Sequence, residues 1–166
     1  MRKRSRKGRH GTIPLCWEQF FAEDPGNWLL QPLRSATPPD PDFEMHFCQD
    51  ILRRAPDHPE ALGLLGEAYA RRGEYTKGLE ADLRLSRLRP HSGVVYYNLA
   101  CSYALTGQKD EALGALREAL ELGYRDLEHI RQDQDLEILR GDRRYVELVE
   151  QLHAQRHETE VNSNEA

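Results

Sequence analysis

Read as apolar and polar positions, the chain settles into one rhythm between residues 59 and 126 and writes it twice, 34 positions apart. Leu65, Tyr69, Ala70, Gly73, Leu79, Ala81 and Leu88 recur at that spacing as Leu99, Tyr103, Ala104, Gly107, Leu113, Ala115 and Leu122, identical at all seven. Within the first copy, Ala61, Leu62, Leu65, Ala68 and Tyr69 recur every three or four residues, which places them on one stripe of a helix. Gly73 breaks the run and suits a left-handed cap, where a side chain would clash. A second stripe follows through Tyr75, Leu79, Leu83 and Leu85 to Leu88, and Pro90 closes it because proline cannot continue a helix. The second copy runs Val95, Tyr96, Leu99 and Tyr103, then Gly107, then Leu113, Leu116, Ala119 and Leu120. His58 before Pro59 and Ser92 before Gly93 are the expected N-caps. Small residues one turn apart, Gly66 with Ala70 and Ala100 with Ala104, allow helices to approach closely. The pattern predicts tandem helix–turn–helix pairs, each burying its apolar face on the next.

The flanks extend this scheme. A helix is expected from Phe43 to Arg54, with Phe43, Met45, Phe47, Cys48, Ile51 and Leu52 on its apolar side and Cys48 as a core thiol. Pro56 stands one repeat length before Pro90, and Ile51 one repeat length before Leu85, so this helix reads as the second half of a degenerate upstream repeat. Beyond Leu122, Leu127 and Ile130 begin a short helix that Asp133-Gln134-Asp135 interrupts, the aspartates serving as turn and capping residues. Leu136, Leu139, Tyr145, Leu148, Val149 and Leu152 form a last apolar series, with Asp142 as N-cap of the final helix. Upstream, Leu15, Trp17, Phe20 and Phe21 are separated from Trp28, Leu29, Leu30 and Leu33 by the turn signal Asp24-Pro25-Gly26-Asn27. This aromatic stretch either packs on the array or is a docking motif, for another protein or for the chain's own groove; a stiff Pro-rich linker, Thr37 to Pro41, follows it. The organisation expected is a basic disordered tail over 1–13, the aromatic segment and linker over 14–41, an all-α repeat domain over 42–155 with repeats 59–92 and 93–126, and a polar tail over 156–166.

Leu65-Gly66, Tyr69, Gly73 and Pro90, then Leu99-Ala100, Tyr103, Gly107, Ala112 and Ala119, resemble the tetratricopeptide repeat. Gly78 and Asp82 depart from the alanine and bulky apolar residue usual in that family, and Tyr124 from the closing proline. The resemblance implies helical pairs stacked into a right-handed solenoid that binds peptides or partner proteins on a concave wall, closed at its C-terminal end by the segment from Asp133 to Leu148. Carried onto this sequence, that wall comprises Glu60, Gly63, Leu64, Glu67 and Arg71, then Val94, Tyr97, Asn98, Cys101 and Leu105, then Glu128, Arg131 and Gln132. Asn98 matches an asparagine that in this family commonly holds a ligand's backbone, and a primary amide does offer both a donor and an acceptor to an extended chain. Val94, Tyr97, Leu64 and Leu105 would supply apolar contact, Gly63 would leave space opposite Tyr97, and Arg71 and Arg131 would attract acidic groups or a terminal carboxylate. In the carboxylate-clamp subgroup, lysine, asparagine and lysine stand where this chain has Gly63, Glu67 and Glu128, so the expected ligand is an extended apolar peptide, not a chaperone tail.

Composition narrows the remaining choices. Six of the 23 basic residues (Arg2, Lys3, Arg4, Arg6, Lys7 and Arg9) lie in the first ten positions, leaving 17 against all 28 acidic ones, so residues 11 to 166 carry −11. The basic arm reads as a nucleic-acid-binding tail, a nuclear import signal, a mitochondrial presequence or a solvated start to the chain. With the arm as phosphate binder, the chain would be a nucleic-acid-associated assembly factor; a self-associating structural subunit is a further alternative. Three cysteines without metal-like spacing favour reduced thiols and a cytoplasmic setting, or a nuclear one if the arm is an import signal. No apolar run is long enough for a membrane span. The seven histidines form no HExxH and pair with no cysteine at zinc spacing; His153 and His157, four apart, read as a solvated helix end. No phosphate-binding, dinucleotide or nucleophile-elbow motif occurs, so neither an enzyme nor a cofactor, metal or small-molecule substrate is expected. The partner's identity and the oligomeric state stay open.

Overall fold

The structure, a computed structural model, describes residues 40 to 164, with side chains up to Ala154; the basic arm and the aromatic stretch lie outside the described residues. Among the described residues all regular structure is helical: α1 (Pro41–Arg54), α2 (Pro59–Arg72), α3 (Tyr75–Leu88), α4 (Gly93–Leu105), α5 (Lys109–Glu121), α6 (Leu127–Gln132), a 3-10 segment (Gln134–Leu139) and α7 (Arg143–Asn164). The chain forms two units, Met1–Ala81 and Asp82–Ala166, and the division falls inside α3.

In the first unit, α1 starts because Asp40 accepts from the Asp42 amide at 3.0 Å and Pro41 follows with its fixed φ. Asp42 and Glu44 in its first turn and Arg53 and Arg54 in its last complement the helix dipole. His58 caps α2 as the sequence predicts, its Nδ1 accepting from the Ala61 amide at 3.3 Å. Cys48, Leu64 and Leu65 are buried at the α1–α2 contact, with Met45, Phe47, Ile51, Leu52 and Tyr69 packed around them. Burial pushes the Cys48 thiol up to about 12, so it is an inert core group. Phe43, expected on this apolar side, is instead 56% exposed. At 100° per residue it sits about 140° around the helix from Cys48, beyond the stripe that faces α2.

In the second unit α4 packs along α5 and against the 3-10 segment, and α7 contacts α5 and α6. Leu85, Val95, Ala100, Leu116, Ala119, Leu136 and Leu139 are fully buried. The turns closing α2 and α4 are the same object: Gly73 (φ 78°) and Gly107 (φ 84°) are both left-handed. The Glu74 amide donates to the Tyr69 carbonyl at 2.9 Å, as Gln108 does to Tyr103 at 2.9 Å. A β-carbon at Gly107 would meet no atom within 4 Å, so a side chain there is opposed by backbone conformation alone. Gly107→Val is therefore expected to destabilise the protein by about 1–3 kcal/mol in urea titrations.

Two local expectations are corrected. Ser92 precedes α4 at the N-cap position, but its hydroxyl makes no cap bond; the hydroxyl is buried without a hydrogen bond, and the residue caps through its carbonyl, which accepts from the Tyr96 amide at 3.3 Å. Asp142 does begin α7, accepting from the Arg144 amide at 2.9 Å, but that helix continues to Asn164, through the stretch expected to be a polar tail. No glycine or proline stands between Gln155 and Asn164 to stop it, and His153 is accordingly an exposed residue well inside the helix, not near its end.

Candidate functional site

The spacing of Val94, Tyr97, Asn98, Cys101 and Leu105 puts them on one side of α4, and the structure shows what each does there. Tyr97 is 1% exposed. Its hydroxyl donates to Asp133 Oδ2 at 2.7 Å. Its ring stacks on Tyr124 at 4.3 Å and meets His129 at 5.3 Å. Burial, and then the acidic neighbours Cys101 and Asp133, push the phenol well above the usual tyrosine range, so it remains a neutral donor. Cys101 Sγ lies 3.5 Å from the same Asp133 oxygen, and His129 Nε2 lies 3.7 Å from it. Asp133 Oδ1 meanwhile accepts from the Asp135 amide at 2.9 Å, the capping role its place in the sequence implies. One carboxylate thus ties α4 to the segment that follows α6. A signal for the partnership with Tyr97 exists in the sequence, because the two copies differ at this place: Gly63 is the counterpart of Tyr97 in the first.

Asn98 is different. The residue is 9% exposed, and its amide nitrogen is buried without a hydrogen bond. A buried donor without a partner costs about 1–3 kcal/mol, which calls for an explanation in a natural chain. Beside it on α4, Val94 is buried while Cys101 and Leu105 are half-buried. On α6, Glu128, Arg131 and Gln132 are exposed, and Gln132 bonds Glu128 one turn away.

The other predicted groove residues belong to the first unit. Leu64 is part of its core and Gly63 is buried. Glu60 is 5% exposed with His58 Nδ1 3.1 Å from its carboxylate, and Glu67 is half-buried. Arg71, expected to attract a ligand's acidic groups, is paired with Glu44 of α1, and burial lowers its pKa. Among the described residues no group of three or more His, Cys, Asp or Glu side chains is placed to hold a metal. No described helix is long and apolar enough to cross a membrane.

A helical pair repeated in register defines the class, an all-α tetratricopeptide-like repeat fold, and the tetratricopeptide repeat family matches residues 93–126, the second of the two copies. The fold is one used for protein–protein interaction. Among known proteins the chain is similar to a chloroplastic protein of Arabidopsis thaliana, at 36% identity over 90 residues, which cover 52% of this chain and 27% of that protein. It is also similar to Superkiller protein 3 of Schizosaccharomyces pombe, at 37% identity over 83 residues, 50% of this chain and 6% of that one. The chain thus spans about a quarter or less of the length of these relatives.

Proposed function

We propose that this chain is a non-catalytic adaptor whose α4 face takes up an extended, largely apolar peptide segment of a partner protein, with Asn98 as its anchor. The observation that carries this reading is the Asn98 amide nitrogen, buried and unbonded on the protein side, which a ligand carbonyl would satisfy. Leu105 and Cys101, half-buried along the same helix, provide the adjoining apolar contact. Tyr97 contributes by fixing the helix and not by touching the ligand, because its ring and hydroxyl are engaged with Tyr124, His129 and Asp133. The reading includes a reducing, cytoplasmic setting, supported by three cysteines without metal-like spacing and by the burial of Cys48 as a core thiol.

Asn98→Ala is the test. Since the amide nitrogen has no protein partner to lose, the variant should keep its thermal stability. Its affinity for the partner recovered by affinity capture should fall by about 2 kcal/mol, roughly thirtyfold, in calorimetric titration. Unchanged affinity would place recognition elsewhere. Capture that survives Asn98→Ala but disappears with nuclease and high salt would assign binding to the basic arm of residues 1–13.

A further inference from the structure

The least expected surface feature is on α1. Phe43 is 56% exposed and stacks on Phe47 with ring centroids 6.1 Å apart. The repeat register shows how unusual this is. Counterparts of Phe43, one and two repeat lengths on, are Lys77 and Glu111, both exposed charges, and those of Phe47 are the buried alanines Ala81 and Ala115. Two phenylalanines stand where the complete repeats need a charge in water and a small residue. α1 is a second helix without a described first one: moving the bounds of α2 back by one repeat length gives residues 25 to 38 as the place in the chain where its companion would be written.

We propose that the aromatic stretch of residues 14–33 folds back within the same chain onto the Phe43–Phe47 face of α1. Three observations select this occupant. First, the stretch is in repeat register: Asp24-Pro25 stands one repeat length before His58-Pro59, the cap and first residue of α2, and Trp28 likewise before Leu62, which is 0% exposed. Second, only the short segment Arg34 to Pro39 separates Leu33 from Asp40, the cap of α1, and Phe43 lies in the first turn of that helix. At about 3.1 Å per residue this proline-rich linker reaches roughly 20 Å, and so short a tether sets an effective concentration in the mM range. Third, the contact need not copy that between α2 and α3. There, a β-carbon on Gly78 would come within 3.1 Å of the Gly66 carbonyl; Glu44 and Pro32 occupy the corresponding positions here. A companion helix cannot close to that distance, which leaves the phenylalanines as the contact surface.

Both tryptophans of the chain, Trp17 and Trp28, lie in the stretch, so acrylamide quenching of tryptophan emission reads its state alone in the full-length protein. The wild type should be protected relative to N-acetyl-tryptophanamide, with protection independent of protein concentration. Phe43→Glu, at an exposed position and therefore expected to fold with unchanged helical circular dichroism, should lose that protection. Full quenching in the wild type would overturn the proposal. So would protection that survives Phe43→Glu, which would place the stretch on another surface, and protection that appears only as sedimentation shows a dimer, which would make a second copy the occupant.

Discussion

Asp82→Asn should make the protein more stable at pH 8 and should flatten its pH dependence between about pH 4 and 7. Asp82 is 4% exposed on α3. Its counterparts in the repeat register, Cys48 and Leu116, are both 0% exposed and apolar. Ser102 donates to Asp82 Oδ2 at 2.5 Å, but Oδ1 is buried with no hydrogen bond. Burial raises the carboxyl from 3.8 to about 7, and the Ser102 bond offsets only part of that. The folded protein therefore holds a proton that the unfolded chain releases near pH 4. Between the two values the native state binds more protons, so stability falls as pH rises and levels off above about 7. At 1.36 kcal/mol per unit, the loss from this one group is up to about 4 kcal/mol. Urea titrations at pH 4, 6 and 8 would show the two proteins diverging in that order, since the amide keeps an acceptor for Ser102 and cannot ionise. A wild type that loses no stability relative to the variant between pH 4 and 8 would overturn the assignment. Asp142 has the opposite sign: Arg144, by side-chain and backbone hydrogen bonds, holds it down at about 2, so its contribution is lost only in stronger acid and does not enter this window.

Glu44→Ala should cost about 3 kcal/mol or more in the first unit, because it leaves the Arg71 guanidinium buried without its counter-charge. The side chains of the pair are 5% and 15% exposed, and burial already lowers the Arg71 pKa. Removing both charges is a different experiment: Glu44→Leu with Arg71→Met should return stability to about the wild-type level, since the desolvation of both ions is removed along with their attraction. Chemical denaturation of Glu44→Leu, Arg71→Met and the double variant would give a coupling of the same order as the single loss. Additive losses would show that the two side chains act separately.

Helix ends are legible in the sequence wherever one residue type has one physical use. Proline at Pro59, glycine at Gly73 and Gly107 and the carboxylate of Asp142 all act as their chemistry requires. Ser92 is not legible in this way, because a hydroxyl can be buried as readily as it can cap. The apolar stripes mark the core of both units but overshoot at Phe43, where a helical period cannot say how wide the covering neighbour is. Spacing presents Tyr97 and Arg71 as open to a ligand, because it reports which face a residue occupies and not what already occupies that face. Their partners stand on other elements, Asp133 beyond α6 for Tyr97 of α4 and Glu44 on the preceding helix α1 for Arg71, 36 and 27 positions away, outside the window in which a helical period is read. Asn98 owes its expected role to the resemblance and not to spacing, and what no local pattern announces is that its amide nitrogen lies buried without a hydrogen bond.

The bond from Tyr97 to Asp133 bears on how such a chain can grow. A repeat cassette is usually free to be duplicated, since each copy finds its contacts in its neighbours. Here the second cassette has a hydroxyl whose acceptor lies past the cassette's end, and the first has Gly63 at that place, with no hydroxyl to offer. A further copy inserted after residue 126 would part Tyr97 from its carboxylate, whereas one inserted before residue 93 would leave the pair intact. The order of the repeats is thus written into their side chains: the copy that bears the tyrosine is the one suited to come last.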